Sequence, residues 1–365
     1  MSKITPNKYV VSVPGQPQPS AKIVKKKYKV DLSLNENAFP PSQKAIDAYL
    51  KVGPVLNKYP DYTSAELRGA LAEKYNLDDQ RIVCTAGSEQ MLSFLARGYI
   101  MPGDEVIYPR YGFLVYWFNI KMAGGIPVPV DHDDFKINVD YILDAVTDKT
   151  RMVFLDNPGN PTATYVPYNE IKKLREKLPE HILLVLDGAY ADFVSTDDFD
   201  CGFDLVEKYE NVVVTRTLSK LYGLSGLRIG WSYLPPDVAA TVLHLKGGFN
   251  VSSPAQAAGL AAVLDDDDYA IKVRAHSQKW AEWLTKELRE LGLKVTPSVC
   301  NFILVHFPEG PEAMNAADAY LKQHDINVGS VAIYKLPSSF RVTVGTESEN
   351  HALINALKDY YNSAQ

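Results

Sequence analysis

The sequence predicts an α/β protein, with a large domain on a mostly parallel, seven-stranded-type sheet and a smaller α+β domain after it. Three observations carry this. Short apolar, β-branched runs alternate with helical stretches through the middle of the chain, the pattern of βαβ units. After about residue 250 that alternation gives way to one long helical stretch followed by shorter strands. The 365 residues also exceed what one small core fills, so about two domains are expected.

The elements follow in order. Pro14, Pro17 and Pro19 suit an extended arm over 1–30, and Lys22, Lys25, Lys26, Lys27 and Lys29 read as its solvated charges. The large domain is expected over 31–250. Its strands are the runs 82–84, 105–108, 151–155, 182–186 and 212–215, each bounded by turn formers. Near-continuous apolar strands of this kind are covered on both faces, as parallel sheets are. Residues 89–99 and 168–177 are helix candidates between them. The smaller domain, over 251–365, begins near Asp265 to Asp268, carboxylates that favour a helix N-terminus. A long helix over 269–291 follows, then strands over 302–306 and 340–344 and two more helices.

Composition narrows the function classes. The formal net charge of −6 argues against a nucleic-acid or anionic-membrane partner. No apolar run approaches the roughly 18 residues of a membrane span. The N-terminus lacks the apolar core of a signal peptide. Cys84, Cys201 and Cys300 are scattered, which fits a reduced, cytoplasmic setting. Histidines are dispersed without ligand spacing, so no metal site is expected.

Chemistry concentrates after the strands. Lys220 follows the 212–215 strand, with Thr217 and Ser219 just before it and Arg228 eight residues on. A lysine amine that forms a Schiff base, beside hydroxyls and a guanidinium that hold a phosphate, is what pyridoxal phosphate chemistry needs. Alone, a Ser-Lys pair is an exposed loop; the other strand ends change that. Asp187 closes the 182–186 run, placed either to keep a pyridine nitrogen protonated or to cap a helix. Tyr190 stands three residues on. Asn160 sits in a proline-ruled loop after 151–155, with an amide for a ring oxygen or a substrate carboxylate. Ala86, Gly87 and Ser88 join a strand to a helix, where backbone N–H groups bind anions. Tyr111 follows another strand and suits either ring stacking or the core. All these residues fall at the C-terminal ends of strands, where open α/β sheets bind ligands.

Nearly end to end, the chain resembles the histidinol-phosphate aminotransferase family of fold-type I pyridoxal-phosphate enzymes. The resemblance lies in Val13-Pro14-Gly15, Leu34 to Asn37, Tyr59-Pro60-Asp61, Gly87-Ser88-Glu89, Asn160-Pro161-Thr162, Asp187 to Tyr190, Arg216 to Arg228, Phe249 to Ser252 and Phe340 to Thr346. It implies a transaminase acting on a small amino donor and a 2-oxo acid, with 2-oxoglutarate and glutamate as the usual pair. Lys220 would hold the cofactor covalently and shuttle the α-proton. Asp187 would pair with the ring nitrogen, while Asn160 and Tyr190 hold the ring oxygen. Ala86, Gly87, Ser88, Thr217, Ser219 and Arg228 would bind the phosphate. Tyr59 would reach the phosphate of a neighbouring subunit, which implies a homodimer with shared sites. Arg341, with Asn160 and Asn35, would bind the substrate.

The pattern breaks in four places. Gly188 stands where the family has glutamate, Ala163 where it has glycine, and Ser12 where it has tyrosine. Val328-Gly329-Ser330 occupies the place of an arginine that contacts the substrate phosphate, with Lys335 nearby. A charge-assisted contact contributes about 1.5–3 kcal/mol, enough to redirect specificity by one to two decades. An amino acid without a phosphate, aromatic among others, is therefore the alternative donor. A related decarboxylase, cyclase or oxidase keeps the same cofactor residues, whereas a non-enzymatic binding domain would not need Lys220, Asp187 and Arg228 together.

Overall fold

A computed structural model of the chain describes residues 7–10, 28–265 and 268–363. The proline-rich arm, Ser12, Lys22 to Lys27, Asp266 and Asp267 lie outside the described residues. Seven strands form the large sheet in the order Ile82–Thr85, Gly230–Tyr233, Val212–Thr217, Leu183–Asp187, Thr150–Asp156, Glu105–Pro109 and Ile126–Val130. All pairings are parallel except those of Gly230–Tyr233, which runs antiparallel to both neighbours. Five of the seven are the strands expected from sequence.

The other two carry physical reasons for being hidden. Ile126–Val130 contains Pro127 and Pro129, which deny ladder donors; it survives because it lies at the sheet edge, with one neighbour. Gly230–Tyr233 is four residues long, opens on glycine and carries Ser232, so no apolar run marks it.

Side-chain alternation along the central strands supplies both faces with a core. Val153, Leu155, Leu184, Leu186, Val212 and Val214 face one cluster, which the helix Ser253–Val263 joins through Ala255 and Ala258. Met152, Phe154, Leu183, Val185 and Val213 face the other, under Ser88–Tyr99, Val115–Met122 and Pro236–Leu245. Val212–Thr217 and Leu183–Asp187 are buried throughout.

A second sheet runs Val30–Leu32, Ile326–Ser330, Ser339–Thr343, Phe302–His306, Lys294–Val295. It packs against Asp268–Glu290, Pro311–Gln323 and Glu347–Ser363 through Leu284, Leu288, Leu321 and Leu357. Two segments cross the division drawn at residues 31 and 250: Val30–Leu32 pairs in the second sheet, and Ser253–Val263 packs in the large core. Among the described residues, no helix is long and apolar enough to cross a membrane.

Candidate active site

The C-terminal ends of the parallel strands open on a cavity of about 300 Å³, closed from the other side by Arg341 and Tyr334 of the second unit. Its lining brings together ten residues expected from sequence: Asn35, Ser88, Asn160, Asp187, Tyr190, Thr217, Ser219, Lys220, Arg228 and Arg341. The large-sheet residues converge because their strand ends share one sheet edge, while Asn35 and Arg341 reach the cavity from the second sheet.

Lys220 is the hub. Its Nζ donates to the carbonyls of Leu34 and Asn35, at 3.2 and 3.1 Å, and lies 5.8 Å from the centre of the Tyr190 ring. Burial, with the cations of Arg341 and Arg228 adding to it against the opposing charge of Glu36, lowers its pKa to about 8. Such an amine is a nucleophile near neutral pH.

Asp187 ends its strand fully buried, and its oxygens accept from the Tyr116 hydroxyl at 2.9 Å and the Thr215 hydroxyl at 3.0 Å. Burial raises its pKa, and those two donors oppose the rise. The alternative of a helix cap does not describe this carboxylate, which lines the cavity. Tyr190, also buried, accepts from Asn35 Nδ2 at 2.9 Å, and burial raises its pKa well above the usual range.

The anion cradle is built from backbone as much as from side chains. Ser88–Tyr99 starts at the cavity with Gly87 as its cap residue at φ 83°, and no side chain caps it. The positive φ at Gly87 favours glycine, and a Cβ there would come within 2.8 Å of Arg228 Nη2, so any other residue would make the guanidinium shift. Thr217 and Ser219 hydroxyls lie 2.9 Å apart beside it. The Ala86 N–H donates instead to Gln90 Oε1 at 2.9 Å, and Ala86 is not part of the cavity wall.

Arg341 spends its fork inside the protein. Nη1 donates to Asn160 Oδ1 and Nη2 to the Ser33 carbonyl, both at 2.6 Å, while its buried Nε has no partner. Gly329 is its register partner, and a Cβ there would sit 3.4 Å from Arg341 Nη2. Asn35, expected at the substrate, has its side chain committed to Tyr190 and Thr343 and its carbonyl to Lys220.

Besides Ala86, Tyr111 and Tyr59 also lie away from the cavity wall. Tyr111 stacks on His132, ring centres 4.8 Å apart, and Phe113 lines the cavity in that stretch. Tyr59 is 81% exposed and stacks on Phe249, away from the cavity. Reading from sequence missed Tyr116, Thr215 and Asp156. Thr215 was legible, since it lies two residues before Thr217 and faces the same side; Tyr116, in the first turn of Val115–Met122, gave no signal.

The chemistry of this donor set fits pyridoxal phosphate: a depressed amine, a buried carboxylate, a phenol and a glycine-built anion cradle ending in arginine. The model of the aminotransferase class I and II family matches residues 27–357. A histidinol-phosphate aminotransferase of Paramagnetospirillum magneticum is 47% identical over 90% of this chain and 91% of its own. One of Rhodopseudomonas palustris is 44% identical over 99% of both. The crystal structure of histidinol-phosphate aminotransferase from Sinorhizobium meliloti in complex with pyridoxal-5'-phosphate matches with TM-score 0.88 and 26% identity, covering 93% of each chain. The chain therefore belongs to the aminotransferase class I and II family and is a pyridoxal-phosphate-dependent aminotransferase of fold type I.

Proposed function

We propose that this enzyme moves an amino group from histidinol phosphate to a 2-oxo acid, with 2-oxoglutarate and glutamate as the acceptor pair. The observation carrying this is the name shared by relatives 43–47% identical over at least nine-tenths of the chain. Bound pyridoxal phosphate supplies an electron sink for the substrate's α-carbon. Lys220 would hold the cofactor and, once its amine is released, would move the proton at that carbon, a task its low pKa suits. Asp187 would keep the ring nitrogen protonated, which would strengthen that electron sink. Asn160, whose oxygen is taken by Arg341, turns its amide nitrogen to the ring oxygen together with Tyr190. Arg228, Ser88, Thr217, Ser219 and the uncapped first-turn N–H groups that follow Gly87 hold the phosphate. Arg341 receives the substrate's anionic group, for which a planar fork is apt.

The working unit is a homodimer in which Tyr59 completes the partner's site. Its exposure beside Phe249, away from its own cavity, supports this reading. Three free cysteines suit a cytoplasmic setting.

A second reading, an unphosphorylated or aromatic amino donor, draws on Gly329. It stands against the Ser33 carbonyl and Arg341 where the family has an arginine, and so brings no second guanidinium there. The deciding experiment compares kcat/KM for histidinol phosphate with that for histidine, phenylalanine and tyrosine, using one acceptor. Preference for histidinol phosphate by three decades or more supports the first reading. Parity would move the assignment to the second, because discrimination needs a dedicated polar partner.

A further inference from the structure

Asp156 ends Thr150–Asp156 as the register partner of Asp187 on the next parallel strand, so the two carboxylates face the same side of the sheet. Only 4% exposed, Asp156 lines the cavity. Its hydrogen bonding differs from that of Asp187. Oδ2 accepts two backbone N–H groups, from Asn160 at 2.9 Å and from Phe113 at 3.2 Å. Oδ1 is buried without a partner, and a Cβ on Gly112 would lie 3.1 Å from it. The donors belong to two loops, one after its own strand and one after Glu105–Pro109, and both Asn160 and Phe113 line the cavity.

A carboxylate here is a poor choice for stability. Burial raises its pKa to about 7, and the neighbouring charge of Asp187 adds to the rise. An apolar side chain would extend the Met152 and Phe154 face of the strand without leaving a buried oxygen unpaired. What the carboxylate supplies is one acceptor point that two separate loops can share.

We propose that Asp156 is a positioning residue of the cofactor seat: by accepting from Asn160 and Phe113 at once, it fixes both loops at a set distance from Asp187. The Asn160 amide and the Phe113 ring are thereby held in register with the carboxylate that serves the ring nitrogen. Arg341 supplies the other tie on Asn160, from the second sheet, and cannot set the Phe113 loop.

The test reads cofactor affinity of the apoprotein, by titration with pyridoxal phosphate and quenching of tryptophan fluorescence. Asp156→Asn, which keeps one acceptor oxygen, should bind within threefold of the parent. Asp156→Ala should bind at least tenfold more weakly while the apoprotein still melts cooperatively. In an Asn160→Ala background, Asp156→Ala should cost less than a further threefold, because its effect runs through a residue already removed. If the alanine variant does not fold, Asp156→Ser replaces it, its hydroxyl being too short to serve both N–H groups. Alanine or serine variants that bind within threefold of the parent would overturn the proposal. So would effects that multiply with Asn160→Ala, or an asparagine variant as weak as alanine, which would assign the effect to charge.

Discussion

The Lys220 amine should react with cofactor near neutral pH, and the structure sets the scale. Lowering its pKa from 10.5 to about 8 disfavours protonation by about 3 kcal/mol. At pH 7 about one amine in eleven is then neutral, against about one in 2,500 for a lysine near 10.4. Apoprotein mixed with pyridoxal phosphate should develop the visible band of the lysine-bound cofactor at a rate rising about tenfold per pH unit below 8, then levelling. Burial is the largest cause of the depression and Arg341 the next. Arg341→Gln should therefore move the plateau upward in pH while leaving it well short of an ordinary lysine. The linkage has a matching sign. A folded pKa below the unfolded one means apoprotein stability is lost as pH falls from about 10.5 through 8, an effect Lys220→Met removes. A rate that keeps climbing through pH 10 would show that Lys220 is solvated, and the reasoning from burial would fail.

Two further outcomes follow from the site. Asp187→Asn should slow the single-turnover half-reaction by at least two decades while weakening cofactor binding far less, since the carboxylate acts on charge that develops in the ring; near-parental half-reaction rates would reduce Asp187 to a structural group. Subunits of Lys220→Ala mixed with subunits of Tyr59→Phe should show activity that independent sites cannot reproduce, and a fully active monomer in light scattering would remove the shared-site reading.

Most of the large sheet was legible because burial on both faces writes apolar runs into the sequence, as in Val212 to Val214 and Leu183 to Leu186. Edge and antiparallel strands lack that signature, so Ile126–Val130, broken by prolines, and the short Gly230–Tyr233 were not. Site residues were legible where the chemistry is local: Lys220 between Ser219 and Arg228, Gly87 before Ser88. Reach was harder to read. Tyr111 and Phe113 are both aromatic and two residues apart, hence on the same side of an extended stretch. Only the turn at Gly112, whose N–H donates to the Pro109 carbonyl at 2.7 Å, separates the one on His132 from the one at the cavity. Asp156 was hidden differently. It adjoins an apolar run, and its proposed role depends on pairing one donor four residues on with another from a loop more than forty residues earlier.

If Arg341 takes the substrate's anionic group as proposed, substrate choice comes down to how it is released. Its two terminal nitrogens already donate to Asn160 and Ser33, and only Nε lacks a partner. An incoming anion must therefore replace a good neutral hydrogen bond with a charge-assisted one, and the net gain is the difference, on the order of 1 kcal/mol per bond exchanged. The Ser33 carbonyl is the contact an anion would take, because the Asn160 contact also orients the amide toward the ring oxygen. Gly329 matters here through its lack of a side chain: a Cβ would lie 3.0 Å from the Ser33 carbonyl and 3.4 Å from Nη2, crowding both partners of that bond. Glycine thus leaves the guanidinium room to shift from the carbonyl onto a ligand. An arginine in its place would add a second cation at the expense of that room. On the proposed function, the chain has the adaptable arrangement, in which one guanidinium would serve both the donor's anionic group and the acceptor's carboxylate in turn.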